Sequence, residues 1–202
     1  MFVQVIQGKA KDPAGLKKQW DRWDQEIKPD AAGYLGGTAG VTPDGKFIAL
    51  ARFESQEAAK ANSDRPEQGK WWEETSQYIE DPMFHDCTEV ELSMGGGSDD
   101  AGFVQVMQGK TTDIAKSREL DAKMTDTMKD IRPDVIGSVT AYNASNGRWT
   151  SAIYFTSEAE ARAKEKEMND NPEIQKMMGE WQAISDGQPE FHDLTEPWFS
   201  SK

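Results

Sequence analysis

Short and long hydrophobic periods alternate along this chain. Phe2–Gln7 is a brief β-branched apolar run, which predicts a strand. Asp12-Pro13 then reads as a helix N-cap with proline in the first turn. Apolar residues recur at Leu16, Trp20, Trp23 and Ile27, one stripe of an amphipathic helix that Lys28-Pro29 ends. Two strands follow, roughly Gly33–Val41 and Lys46–Phe53, joined by a hairpin turn at Thr42–Gly45. Ser55 reads as the N-cap of a second helix. That helix is interrupted near Arg65-Pro66 and resumes through Trp72, Thr75 and Ile79. A last strand is expected from Phe84 to about Leu92.

The whole pattern then returns. FVQVIQGK at Phe2 is answered by FVQVMQGK at Phe103, and IKPDAAG at Ile27 by IRPDVIG at Ile131. KFIALARFES at Lys46 is answered by RWTSAIYFTS at Arg148, and MFHDCTE at Met83 by EFHDLTE at Glu190. The separation drifts only from 101 residues (Phe2 to Phe103) to 107 (Met83 to Glu190), so this is a duplication with a domain-sized period. In the second copy the helical stripe is Leu120, Met124, Met128 and Ile131, the hairpin turn is Ser145–Gly147, and Ser157 is the second N-cap. Its interruption falls near Asn171-Pro172, and its last strand runs from Phe191 to about Trp198. Between the copies, Ser93–Gly102 has the Gly/Ser/Asp composition of a flexible linker. The domains are therefore 1–93 and 102–202, with residues 94–101 as linker.

Each copy reads β-α-β-β-α-β, the ferredoxin-like split βαβ unit of the α+β class. Its sheet carries helices on one face only. The other face is also apolar, since Ile48 and Leu50 alternate with Ala49, Ala51 and Phe53. A sheet apolar on both faces needs a partner sheet, and the duplication supplies one. The expected architecture is two repeats packed sheet to sheet as an intramolecular dimeric α+β barrel, hence a monomer acting as a pseudo-dimer.

On these four paired segments the chain resembles the dimeric α+β-barrel superfamily, in its antibiotic-biosynthesis-monooxygenase-like branch. The resemblance implies a small-molecule protein. One reading is a cofactor-independent monooxygenase of aromatic or polyketide-like substrates. The other is a non-catalytic ligand-binding or stress-related barrel. Haem-degrading members resemble one another in a Trp early in the second helix and a His about ten residues later. Those positions fall at Asn62 and about Trp72 here, and at Lys164 in the second copy, so haem ligation of that type is not expected.

Charge narrows the partners. A net charge of −13 with no Lys/Arg run argues against nucleic acid and anionic membrane, because both are bound by neutralising phosphate. No apolar run approaches the roughly 20 residues of a membrane helix, and no signal peptide is visible. Cys87 is the single cysteine, so no intramolecular disulfide can form, and a cytoplasmic location is expected. A small apolar or aromatic molecule remains as ligand, with no bound cofactor.

The only histidines, His85 and His192, occupy the same Phe-His-Asp triplet in both copies. Each would titrate near neutral pH and could move a proton or hydrogen-bond a phenol. Each could equally satisfy backbone groups at a strand start, with Asp86 or Asp193 as a cap. One His and one Asp per copy are too few for a metal site. Trp20 and Trp72 on the helices could roof a flat apolar pocket or simply pack the core. Gln4, Gln105 and Asn62 could orient a bound carbonyl, and Arg52 with its counterpart Tyr154 could line the same space or the barrel seam. Cys87 matches Leu194, which suggests a buried apolar role.

Overall fold

The computed structural model describes residues 1–168 and 171–201. Strand β1 spans Phe2–Ala10 and leads into helix α1, Pro13–Arg22, whose first turn is capped by Asp12 accepting from the Gly15 N–H at 3.0 Å. Past Arg22 the backbone widens into a π turn over Trp23–Ile27 and tightens to a 3-10 turn over Lys28–Asp30. Strands β2 (Tyr34–Val41) and β3 (Lys46–Phe53) follow, the turn between them reversing at Gly45, where φ is +88°. Ser55 caps α2 (Gln56–Ser63) through the Ala58 N–H, Pro66 opens α3 (Pro66–Ser76), and β4 covers Ile79–Cys87.

After Thr88 comes the short strand β5, Glu89–Ser93. The second repeat contributes β6 (Phe103–Lys110), α4 (Ile114–Ile131), β7 (Val135–Tyr142) and β8 (Arg148–Phe155). It continues with α5 (Glu158–Met168), α6 (Pro172–Ile184), β9 (Glu190–Leu194) and β10 (Trp198–Ser200).

Two five-stranded antiparallel sheets result, in the orders β10-β2-β3-β1-β4 and β5-β7-β8-β6-β9. In each, the hairpin's second strand lies between the two strands that the first helix joins, which is the split βαβ arrangement expected of ferredoxin-like repeats. The last strand of each repeat, expected as one, is broken in two. β4 ends opposite Val3, and β5 starts afresh opposite Tyr142 in the other sheet. Pro197 explains the second break, because it has no N–H to continue a ladder. The first, at Thr88, has no residue signal. In return, β10 pairs with β2, setting Trp198 opposite Ala39 and Ser200 opposite Gly37. The compact units are therefore Met1–Thr88 with Leu194–Lys202, and Glu89–Asp193. Sequence repeat and compact unit differ by one exchanged strand at each end.

In the first unit, Phe2, Trp23, Ile27, Tyr34, Phe53 and Trp71 form the core between helices and sheet, with Trp23 edge-on to Tyr34 at 4.8 Å. Fully burying side chains of this size contributes about 1.5–3 kcal/mol each. The buried indole N–H groups are satisfied: Trp23 donates to Gln68 Oε1 at 2.7 Å and Trp71 to the Gln19 carbonyl at 2.8 Å. In the second unit Phe103, Val135, Phe155 and Ala161 form the equivalent cluster. Ile131, expected on the buried stripe, is 37% exposed. Arg132 turns inward instead, over the Phe155 ring and in a fully buried ion pair with Asp134 at 2.7 Å.

The Gly/Ser/Asp segment does not hang free. Met94, Gly95 and Gly96 all take positive φ, and the Gly96 carbonyl oxygen lies 1.9 Å from where a Cβ on Gly137 would stand. Gly137 is thus required by a backbone approach. Gly137→Ala is expected to destabilise the protein by at least about 2 kcal/mol in chemical denaturation. Gly69→Ala, in α3 with open space around it, should instead gain about 0.5–1 kcal/mol.

Candidate functional site

Strand parity decides what can meet what. Residues paired across an antiparallel ladder share a face, and the face alternates along the strand. Gln4 pairs with Asp86, Val5 with His85 and Ile6 with Phe84. Phe84 touches Trp72 of α3 with ring centroids 5.1 Å apart, so Gln4, Ile6, Phe84 and Asp86 all face the helices. His85 shares the opposite face with Val5. The register therefore separates His85 from Gln4 and Trp72, which sequence reasoning had grouped with it.

Of the two polar members of the repeated Phe-His-Asp triplet, the acid is the one that reaches the helix side. Gln4 Nε2 donates to Asp86 Oδ1 at 3.0 Å, and Gln105 Nε2 to Asp193 Oδ1 at 3.1 Å. Neither Asp caps a strand start. In the second repeat Arg162 of α5 also pairs with Asp193 and lies over the Phe103 ring at 5.1 Å. Its His192 stands one residue from Asp193, hence on the face away from the helices, 3.3 Å from Glu190.

Around Gln4 the helical layer is incomplete. Gln4, Ile6 and Ala51 on the helix face keep partial solvent access although β1 and β3 are interior strands, and Trp72 is also only partly buried. Phe84 is 46% exposed beside them. The result is a partly exposed patch on the helix side: Ala51, an amide–carboxylate pair (Gln4 and the exposed Asp86) and two rings (Trp72, Phe84). Gln4 and Trp72 thus lie on the same side of the sheet.

Other expected ligand residues lie elsewhere. Trp20 donates through Nε1 to the Phe199 carbonyl at 3.4 Å, and its ring tip crosses Gly37, where a Cβ would meet it at 3.0 Å. Asn62 is 5% exposed; it donates to Gln68 at 3.3 Å and accepts from Arg65 at 3.0 Å, so both ends of its amide are engaged within the helix layer. Arg52 pairs with Val3, and Tyr154 with Val104, which sets both on the faces away from the helices. The Arg52 guanidinium crosses Gly36, and Tyr154 is 1% exposed. Cys87 is buried and its thiol is pushed up to about 12 by burial, then by Asp86, so it is no nucleophile.

The helix faces of the two sheets have diverged. Gly37, Ala39, Ala49 and Val41 in the first correspond to Ser138, Thr140, Ser151 and Tyr142 in the second, matched by their identical registers. The Thr140 and Ser151 hydroxyls are hydrogen-bonded at 2.9 Å, and the Tyr142 hydroxyl donates to Asp121 of α4. Burial pushes the Asp121 carboxyl up to about 6, the Tyr142 hydrogen bond opposing it and Glu91 adding to it. Sequence reasoning assigned Asp121 no role and missed this dyad. Its signal was the spacing of Arg118, Asp121 and Thr125, a polar stripe at helical period. A further open groove of about 380 Å³ lies at the end of β1, bordered by Lys9, Lys46, Asp44, Glu80, Asp81 and Met83. It contains none of the expected site residues.

Among the described residues no helix is long and apolar enough to cross a membrane, and no group of three His, Cys, Asp or Glu side chains is placed to hold a metal.

No protein-family model matches this chain, and no curated protein matches it in sequence. Solved structures match its fold over nearly its full length. A Lactobacillus acidophilus protein, a monooxygenase by assignment, superposes with a TM-score of 0.73 at 11% identity, covering 99% of this chain and 96% of its own. A Fusobacterium nucleatum protein of the same assignment gives 0.77 at 9% identity, covering 100% and 94%. An anthrone oxidase-like protein gives 0.68 at 11% identity, covering 100% and 94%. At these identities the likeness is one of fold.

Replacing Asn62 by Ala should cost about 1–3 kcal/mol in denaturant titration, because Arg65 and Gln68 lose their shared buried partner. An aromatic probe that binds at Trp72 should keep its affinity within about twofold. A loss as large as that of Trp72→Ala would return Asn62 to the binding surface.

Proposed function

We propose that this protein is a cofactor-independent monooxygenase of small aromatic, polyketide-like molecules, working at the helix-side patch of the first repeat. The observation that carries the reading is the meeting of Gln4, Asp86, Trp72 and Phe84 over Ala51 on one face. The shared fold with structures assigned as monooxygenases, one of them anthrone oxidase-like, supports the same chemistry.

A flat ring on this patch stacks against Trp72 and Phe84, a geometry worth about 0.5–1.5 kcal/mol per aromatic pair beyond burial. The small side chain of Ala51 leaves room for it. Asp86 takes a proton from an acidic O–H or ring CH₂ of the substrate, and the electron pair of that bond stays on the ring. Gln4 orients the carboxylate by donating its N–H to Oδ1. The electron-rich anion then reduces dioxygen. A ring CH₂ becomes C=O, one oxygen atom enters the product and the other leaves as water, so no outside reductant is required. The chain supplies a base and orientation. His85 and His192, on the other faces, take no part.

Oxygen consumption with a hydroxylated anthrone as substrate tests this reading. Wild type is expected to show saturable uptake, and Asp86→Asn to lose about 10²–10⁴-fold in kcat. Ala51→Ile, which copies Ile153 of the second repeat, should raise KM at least tenfold by filling the floor. The double variant His85→Ala, His192→Ala should keep wild-type turnover; loss there would move the base to the other face. Saturable binding without oxygen uptake would leave the non-catalytic ligand-binding protein in its place.

A further inference from the structure

Strand β5 is five residues long and lies at a sheet edge, paired with β7. Its apolar residues do not anchor it: Leu92 is 44% exposed and Val90 only partly buried. What holds its helix side is polar. Arg118 of α4 pairs with Glu89 at 3.0 Å and also with Glu91, while Thr125 donates to Ser93 at 3.2 Å. Between them Asp121 accepts from Tyr142, the residue directly across the ladder from Glu89. One helix stripe thus grips alternate residues of the strand.

The charges in this seam do not balance. Glu89, Glu91 and Asp121 face one Arg118. The other lysines near this stretch of α4 are engaged outside the seam, Lys123 with Glu119, and Lys116 with Glu119 and with Glu180 of α6. A proton is the smallest cation that can supply the deficit, and Arg118 pairs with Glu89 and Glu91 while Asp121 is met by the Tyr142 hydroxyl.

We propose that the seam is a proton-operated clamp on β5, closed while Asp121 is protonated and loosened when it ionises beside Glu91. Burial first, and Glu91 after it, raise this carboxyl to about 6, against the pull of the Tyr142 hydrogen bond. An acid whose folded pKa is raised favours the fold in its neutral form. Its contribution is present below the unfolded value of about 3.9 and is lost as pH rises through about 6. Opening of β5, which frees Asp121 to solvent, should therefore become easier on the order of 50-fold between pH 4 and 7.

Hydrogen exchange of the Glu89–Ser93 amides, corrected for intrinsic pH dependence, reads this directly. Wild type should show the rise in opening with a midpoint near 6 while β6 and β8 stay protected. Asp121→Asn should flatten it. Glu91→Gln should move the midpoint down by removing the like charge, and Tyr142→Phe should move it up by removing the donor. These two opposite shifts keep the test decisive if Asp121→Asn does not fold. The proposal is overturned if opening is flat in wild type, equally steep in Asp121→Asn, or shared by β6 and β8, which would be global unfolding.

Discussion

An open antiparallel sheet presents unpaired N–H and C=O groups along its outer strands, and such an edge invites pairing with whatever strand is near. In both repeats the edge at stake is the first strand of the hairpin, β2 or β7. The chain closes each with a strand taken from the end of the other repeat: β10 on β2 and β5 on β7. Much else depends on this closure. Phe199 accepts the Trp20 N–H, the Ser201 carbonyl accepts from Lys28, and Ser200 donates to Asp24, so the outer flank of α1 is finished by the last residues of the chain. The first compact unit is therefore assembled from two separate stretches of sequence, and the second, Glu89–Asp193, is continuous but out of step with the duplication by one strand at each end.

Within each closed sheet, parity is the second constraint. Shifting a residue by one position along a strand moves it through the sheet to the other face. In Phe-His-Asp this sends the first and third residues to the helices and the middle one away. A histidine draws attention in a sequence because it titrates near neutral pH, but the repeated hydrogen bond belongs to its neighbour: Gln4 to Asp86, Gln105 to Asp193. The first strands were duplicated with their glutamines and the last strands with their acids, and the ladder brings the two together in both copies.

Local pattern was enough for the order of elements. Asp12, Ser55 and Ser157 cap helices where their side chains accept from nearby N–H groups, and the hairpin turns fall at Gly45 and Gly147 with positive φ. These signals act over a few residues and so survive reading along the chain. The break at Thr88 was not legible, because Glu89–Ser93 looks like a continuation of β4 until its partner is known. Nor was the inward turn of Arg132, which depends on Asp134 and Phe155 being placed to receive it. Asn62 and Asp121 show the same limit from opposite sides. The first read as a ligand residue and is engaged by Arg65 and Gln68; the second drew no role and is buried against Tyr142.

The divergence of the two helix-side layers follows from what each must satisfy. In the first, indoles sit over glycine and alanine, and the N–H groups of Trp23 and Trp71 are met from the helices and that of Trp20 from the edge strand β10. Apart from Gln4 and Asp86, which bond each other, the floor offers Gly37, Ala39, Ala49 and Ala51, so an apolar ring can rest on it at little polar cost. In the second, the floor carries Ser138, Thr140, Ser151 and Tyr142, and softer methionines replace the indoles above. An apolar ring placed there would leave hydroxyls without partners at about 1–3 kcal/mol for each unsatisfied group. Thr140 and Ser151 avoid that cost by bonding each other, and Tyr142 by bonding Asp121. Hydroxyls satisfied in this way no longer call for a ligand. They tie helix α4 to the sheet edge that β5 completes, which is a structural use of the same surface that the first repeat leaves open.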